Sequence, residues 1–262
     1  MPPDAPAAPH TRGGPDPALV AARRLLLLSN SRDPEGRYLG HAHDALAAQL
    51  EGVREVAFVA FAGVTVTWDA YAARVRGAFA PLGIGVRGVH TADDGASLLR
   101  DAGAIVVGGG NTFHLLAELQ RRGLLAAIRA RVAAGVPYVG WSAGSVVACP
   151  TIGTTNDMPI VVPPEGLGAL GLVGLQINAH FTEARAPGFQ GETRAERLAE
   201  YLTVNPGARV LGLPEGSWLA VRGGAATLGG PHEGVIFEAC AVPGSPVVTR
   251  VGPGGEVEEV WL

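Results

Sequence analysis

The stretch Tyr138-Val139-Gly140-Trp141-Ser142-Ala143-Gly144 decides the architecture. A β-prone run enters a Gly-x-Ser-x-Gly pentapeptide, and an Ala/Val-rich segment able to start a helix follows. The flanking glycines let the backbone turn sharply and let neighbouring chain come close. The Ser142 hydroxyl is therefore expected at the carboxyl end of a strand, with a helix N-terminus behind it. A serine held in this way can attack a carbonyl carbon.

Outward from that turn, β-prone runs at 24–29, 55–62, 85–90, 104–107 and 137–141 alternate with helical periodicity at 43–50, 68–79, 96–102, 112–121 and 124–133. Strand and helix taking turns predict an α/β fold with a mostly parallel central sheet flanked by helices. Sites in such sheets gather outside the carboxyl ends of strands, where Ser142 falls. Beyond Asp157 the pattern loosens. A Pro/Gly-rich stretch at 161–172 precedes a short strand at 175–178, a helix at 193–204 and a β run at 210–213. Short β segments at 218–221, 226–228, 235–238 and 247–251 read as hairpins extending the sheet edge. With no repeat and no linker, 21–262 is expected to be a single domain behind a disordered N-terminal tail, 1–20, rich in Pro, Ala and Gly.

Composition narrows the function. The 262 residues are 47% hydrophobic and 17% charged, which suits a globular chain with a sizeable core. A formal net charge of −4 gives no basic footprint, so nucleic acid is not an expected partner. No apolar run approaches the roughly 18 residues of a membrane span, and the opening residues lack the basic-then-apolar order of a signal peptide. A cytoplasmic location is expected. Cys149 and Cys240 could form at most one bridge, so free thiols in a reducing compartment are the simpler expectation.

A nucleophilic serine needs a base, an acid to orient the base, and donors for the oxyanion. His180, in Ile177-Asn178-Ala179-His180-Phe181, ends a predicted strand that could pair in the same sheet and place its imidazole at the same rim. The remaining histidines fit worse, falling in the tail, at a helix start, at the end of an early strand (His90), inside a helix or in a turn. Two carboxylates stand beside turns, Asp157 in Asn156-Asp157-Met158-Pro159 and Glu215 in Pro214-Glu215-Gly216-Ser217, and spacing does not choose between them. Oxyanion donors are expected from the backbone N–H of Ala143 and from the loop Gly108-Gly109-Gly110-Asn111-Thr112, three glycines between a strand and a helix. That loop lacks Gly-x-Gly-x-x-Gly spacing and no Gly-Lys-Ser/Thr follows it, so no nucleotide cofactor is expected. Neither is a metal, because His41 and His43 at i and i+2 do not share a helix face. Arg194 opens a charged helix, which reads either as a solvated face or as a guanidinium fork for a substrate carboxylate.

Seven ordered blocks resemble the peptidase E (α-aspartyl dipeptidase) family of serine peptidases. They are Leu27-Leu28-Ser29-Asn30-Ser31, 108–115, 140–144, Pro150-Thr151-Ile152 with 154–160, 176–182, 191–194 and 213–218. The resemblance implies a class I glutamine amidotransferase-like fold with Ser142 where those enzymes carry a cysteine. It implies Ser142 as nucleophile, His180 as base and Glu215 as third member, with Asp157 matching an aspartate also important for activity. It further implies Gly110 and Ala143 as oxyanion donors, Asn111 at the substrate, and Arg194 as reader of the side-chain carboxylate of an N-terminal aspartate. Small peptides become the expected substrates and a homodimer the expected assembly. The chain departs at Val162-Pro163-Pro164, where the loop looks one residue longer. Rival readings are an exopeptidase of different end selection, a cyanophycinase-like hydrolase of β-aspartyl links, and a catalytically silent binding module.

Overall fold

Four consecutive leucines, Leu25 to Leu28, are at most 2% exposed, and their side chains leave the backbone on alternate sides. Leu25 and Leu27 join one core cluster, Leu26 and Leu28 another. A strand buried on both faces must be central in a covered sheet. The computed structural model describes residues 17–185, 187–188, 190–242 and 244–259, and β1 (Arg24–Leu28) lies inside a seven-stranded sheet.

Its parallel part is β3 (Gly85–Gly88), β2 (Glu55–Val59), β4 (Ala104–Val107), β5 (Tyr138–Trp141) and β1, in that spatial order. Helices α2 (His43–Gln49) and α3 (Trp68–Phe79) bury Leu46, Tyr71, Val75 and Phe79 on one face. On the other face, α4 (Gly95–Asp101), α5 (Thr112–Arg121), α6 (Leu124–Ala133) and α7 (Ala143–Val146) supply Leu98, Leu115, Ile128 and Val146. Thr67 caps α3 by accepting from Ala70 N, and Asn111 caps α5 by accepting from His114 N, which is why these helices begin where they do. The hairpin β8 (Trp218–Arg222) and β9 (Ala225–Gly229) extends the edge beside β1, as expected.

The second half departs from expectation. β10 (Gly234–Glu238) and β11 (Val247–Val251) do not extend that edge. They form a separate four-stranded sheet with β7 (Arg209–Pro214) and β6 (Gln176–Phe181), in the order β11-β10-β7-β6. His180 therefore lies in this second sheet and not in the sheet of Ser142. One face of the second sheet gives Ile177, Leu211, Leu213 and Ile236 to the α7 side of the main core. Its other face packs Phe181, Val210 and Phe237 against Leu198 and Leu202 of α8 (Arg194–Val204). The alternation was right; which sheet the strands joined was set by packing against α7 and α8.

The expected tail falls mostly outside the described residues. Its last residues, 17–20, belong to a short helix, α1 (Pro17–Ala22). Beside it, Arg23 is fully buried and its guanidinium forks onto Glu259 at 2.9 and 2.5 Å, while also donating to the carbonyls of Leu172 and Gly223. The pair ties the far end of the chain to the start of β1. Removing the acid takes a bidentate carboxylate from a buried cation, so Glu259→Ala is expected to lower stability by about 3 kcal/mol, read as a shifted urea midpoint at unchanged slope.

Candidate active site

Three segments meet at the ends of β1 and β5. At the first, β5 turns into α7 through Ser142, whose φ of 51° and ψ of −117° lie in a region that non-glycine residues avoid. The turn needs both flanking glycines. A Cβ on Gly140 would collide with the Gly144 carbonyl, and one on Gly144 with the Val107 carbonyl. Ser142 N donates to Leu28 O at 3.0 Å, fastening the turn to the end of β1.

The second segment is the end of β6. The β6/β7 register shifts between Ala179 and Phe181, and the bulged residue is His180, with φ 55°. Its N–H leaves the ladder and donates to Ser29 Oγ at 2.8 Å. The third is the crossover from β7 to β8, where the chain passes between sheets through Glu215 and Gly216, the latter at φ 80°. Ser29 holds this crossover as well: its Oγ donates to Leu213 O at 2.8 Å and its N to Ser217 O at 3.0 Å.

The result is a relay across two sheets. His180 Nε2 lies 2.9 Å from Ser142 Oγ, and His180 Nδ1 lies 2.6 Å from Glu215 Oε1. A carboxylate only accepts, so the ring carries its proton on Nδ1 and turns the Nε2 lone pair to the serine. That tautomer is the one able to take the hydroxyl proton. Water reaches the relay, the His180 and Glu215 side chains being 38% and 64% exposed.

Asp157 goes elsewhere. Its Oδ2 accepts from Thr112 N at 2.7 Å, Thr112 Oγ1 at 2.5 Å and Thr155 Oγ1 at 3.2 Å, at the first turn of α5, and it has no bond to His180. Of the two carboxylates left open by spacing, Glu215 is the one against the imidazole. Asp157 instead anchors the helix that follows the glycine loop. Asn111 also borders the cleft. Its Oδ1 caps α5 and its Nδ2 donates to Met158 O at 2.9 Å, which leaves one amide hydrogen uncommitted.

The glycine loop closes over Ser142. Gly109 is so near that a Cβ there would stand 2.9 Å from Ser142 Cβ, and Gly110, at φ 140°, has no room for one against Ala62. Tyr71 Oη donates to Gly109 O at 2.9 Å and accepts from Trp141 Nε1 at 3.0 Å. Because a trans peptide opposes its C=O and N–H, this bond also orients the Gly110 N–H. Among the described residues, no acceptor takes the N–H of Gly110 or of Ala143. Neither Ser29 nor Tyr71 was singled out as a site residue in the sequence. A hydroxyl at a strand end and a tyrosine inside a helix carry no periodicity or spacing signal.

In front of Ser142 lies a cleft of about 560 Å³, bounded by Gly109, Gly110, His180, Tyr38, Arg32 and Arg74. Arg194, at the first turn of α8, opens instead onto a neighbouring depression of about 320 Å³ with Asn156, Thr182, Arg185 and Arg197. Burial lowers the Arg194 pKa, the like charge of Arg197 adds to this, and the Glu215 carboxylate pulls the other way. Arg194 thus stands within the field of the relay and has no ion pair among the described residues. Cys149 is no rival nucleophile: it is fully buried, and burial pushes its thiol up to about 12. No group of described His, Cys, Asp and Glu residues could hold a metal ion, and no described helix is long and apolar enough to cross a membrane.

This geometry makes a chemical forecast independent of substrate. A fluorophosphonate is expected to modify Ser142, located by peptide mass spectrometry. His180→Ala should abolish the modification, and Ser29→Ala should slow it by roughly tenfold or more through misplacement of the imidazole. Labelling elsewhere, or unchanged labelling in both variants, contradicts the relay.

The model of peptidase family S51 matches residues 25–229. A protein named peptidase E from Citrobacter koseri is 54% identical over 215 residues, covering 82% of this chain and 93% of the relative. Another of that name from Escherichia coli O1:K1 / APEC is 52% identical with the same coverage. Among solved structures, a putative peptidase E protein from Listeria monocytogenes EGD-e superposes with a TM-score of 0.59 at 23% identity, over 79% of this chain and 98% of that one. A peptidase from an acI-B1 actinobacterium gives 0.65 at 15% identity, over 90% and 97%. These two likenesses speak to the fold alone. With a family match over most of its length, and relatives of which more than half the aligned residues are identical, the chain belongs to peptidase family S51.

Proposed function

We propose that the protein is a serine dipeptidase that hydrolyses dipeptides with N-terminal aspartate through an acyl-enzyme on Ser142. The observation carrying this reading is the hydroxyl–imidazole–carboxylate line, 2.9 Å and then 2.6 Å, in a chain 54% identical to a protein named peptidase E. As Ser142 Oγ attacks the peptide carbonyl, its proton passes to His180 Nε2, and Glu215 stabilises the imidazolium. The carbonyl oxygen becomes an oxyanion between the N–H groups of Gly110 and Ala143, donors of a kind worth about 10²–10³ in turnover. His180 then returns the proton to the leaving amine, and water, activated by the same ring, releases the aspartyl group.

Arg194 takes the β-carboxylate of the aspartyl residue. A guanidinium that is partly desolvated and unpaired has most to gain from a bidentate carboxylate partner. Asn111 offers its free amide hydrogen to the substrate, and Asp157 acts by holding α5, and with it the glycine loop, in place. The protein works as a cytoplasmic homodimer. The unpaired Cys149 and Cys240 suit a reducing compartment, and sedimentation of the purified protein tests the assembly.

A panel of α-Asp-Leu, β-Asp-Leu and Ala-Leu tests chemistry and selectivity together. Only α-Asp-Leu should be cut efficiently. Ser142→Ala is expected to lower its turnover by about 10⁴-fold or more, because the relay acts as a unit. Full activity in that variant would refute the assignment. Arg194→Ala should erase the Asp-over-Ala preference, and an unchanged ratio would remove Arg194 from its role.

A further inference from the structure

We propose that Arg32 and Arg74 form a second carboxylate site, in the cleft in front of Ser142 and apart from the depression onto which Arg194 opens, that binds the C-terminal carboxylate of the dipeptide. The inference rests on the dipeptidase reading above and extends it to the leaving residue. Its starting point is a charge imbalance. Among the described residues, the cleft in front of Ser142 is bordered by two guanidinium groups and by no carboxylate.

The imbalance follows from how the nearby acids are used. The loop after β1 carries Arg32, Asp33, Glu35 and Arg37. Arg37 takes both acids, donating to Asp33 at 2.7 Å and to Glu35 at 3.3 Å. Among the described residues, the Arg32 guanidinium is left with a carbonyl alone to bond, Gly36 O at 3.0 Å. On α3, Asp69 pairs with His90 at 3.0 Å, and Arg74 has no ion pair or hydrogen bond among the described residues. Both guanidinium carbons stand over the Tyr38 ring, at 5.8 and 5.9 Å from its centroid. That ring gives them a common platform. The platform is itself fixed, since Tyr38 Oη lies 3.3 Å from Tyr71 Oη, the same hydroxyl that holds Gly109.

Two cations sharing one ring with no anion between them repel each other, and a carboxylate placed between them relieves that repulsion while gaining charge-assisted bonds. An Asp-Xaa dipeptide brings two carboxylates, one on each side of the scissile bond. Arg194 accounts for the first, and Arg32 with Arg74 for the second. The same pairing sets substrate length. Each added residue moves the terminal carboxylate by about 3.3–3.6 Å, beyond a site fixed on α3 and the end of β1.

The test compares Asp-Leu with Asp-leucinamide, which differ only in the terminal charge. For the unaltered enzyme, kcat/KM should favour the acid by roughly tenfold or more, the scale of charge-assisted bonds. In the double variant Arg32→Gln, Arg74→Gln, that ratio should fall to near one, mainly through KM for the acid. Arg74→Lys in an otherwise unaltered chain should keep part of it, and high salt should reduce it because both cations are exposed. An unaltered enzyme indifferent to the amide overturns the proposal, as does a double variant that keeps the full ratio; both leave the dipeptidase reading standing. Failure to cut either substrate removes both.

Discussion

The hydroxyl and amide of Ser29 hold the site together. Ser29 is fully buried at the end of β1 and bonds Leu213 and Ser217 on either side of Glu215, while accepting the amide of His180. Its neighbour Leu28 receives the amide of Ser142, and Asn30 Oδ1 receives that of Gly216 at 2.9 Å. The last residue of one central strand and the two that follow it thus locate the serine, the imidazole and the carboxylate, although those side chains come from two sheets and a crossover. The arrangement works because β1 neighbours β5 in register, Leu28 opposite Trp141, and its end faces the second sheet. The Ser29 hydroxyl both donates and accepts in this buried seam, so the precision of the relay is inherited from the core instead of from surface loops.

Two residues of the relay stand at positive φ, Ser142 at 51° and His180 at 55°. Each such conformation costs on the order of 1–3 kcal/mol, and each persists because surrounding bonds over-determine it. At Ser142 the constraint is steric, through the bare glycines of the turn. At His180 it is a bulge whose freed N–H has one buried acceptor. The strain is spent on aim: the hydroxyl leaves the strand end facing the glycine loop, and the imidazole leaves the ladder facing the hydroxyl.

Much of the first half was legible in the sequence. Helices at 68–79, 112–121 and 124–133 begin and end where periodicity and capping residues put them, because Thr67, Asn111 and Gly123 interrupt the apolar pattern at the right places. Strands read longer than they are, as at 55–62, because buried loop residues such as Ala60 and Phe61 are as apolar as the strand before them. The β-prone composition of 235–238 and 247–251 revealed strands but not their sheet, since propensity names no partner: β10 proves buried on both faces and β11 almost wholly exposed. The serine turn and the strand-end histidine were readable because glycine and histidine are chemically marked. The contest between Asp157 and Glu215 was not resolvable from spacing. It depends on a crossover between sheets for one and a helix cap for the other.

The relay's openness has a further consequence. With the Glu215 side chain 64% exposed and that of His180 38% exposed, the imidazole and its carboxylate are both within reach of bulk solvent. In the proposed reaction, a hydrolytic water can therefore arrive from solvent as soon as the first product leaves. An open relay of this kind also does little to exclude other nucleophiles. In the proposed reaction, a free amino acid at high concentration competes with water for the acyl ester and is carried back into a peptide bond.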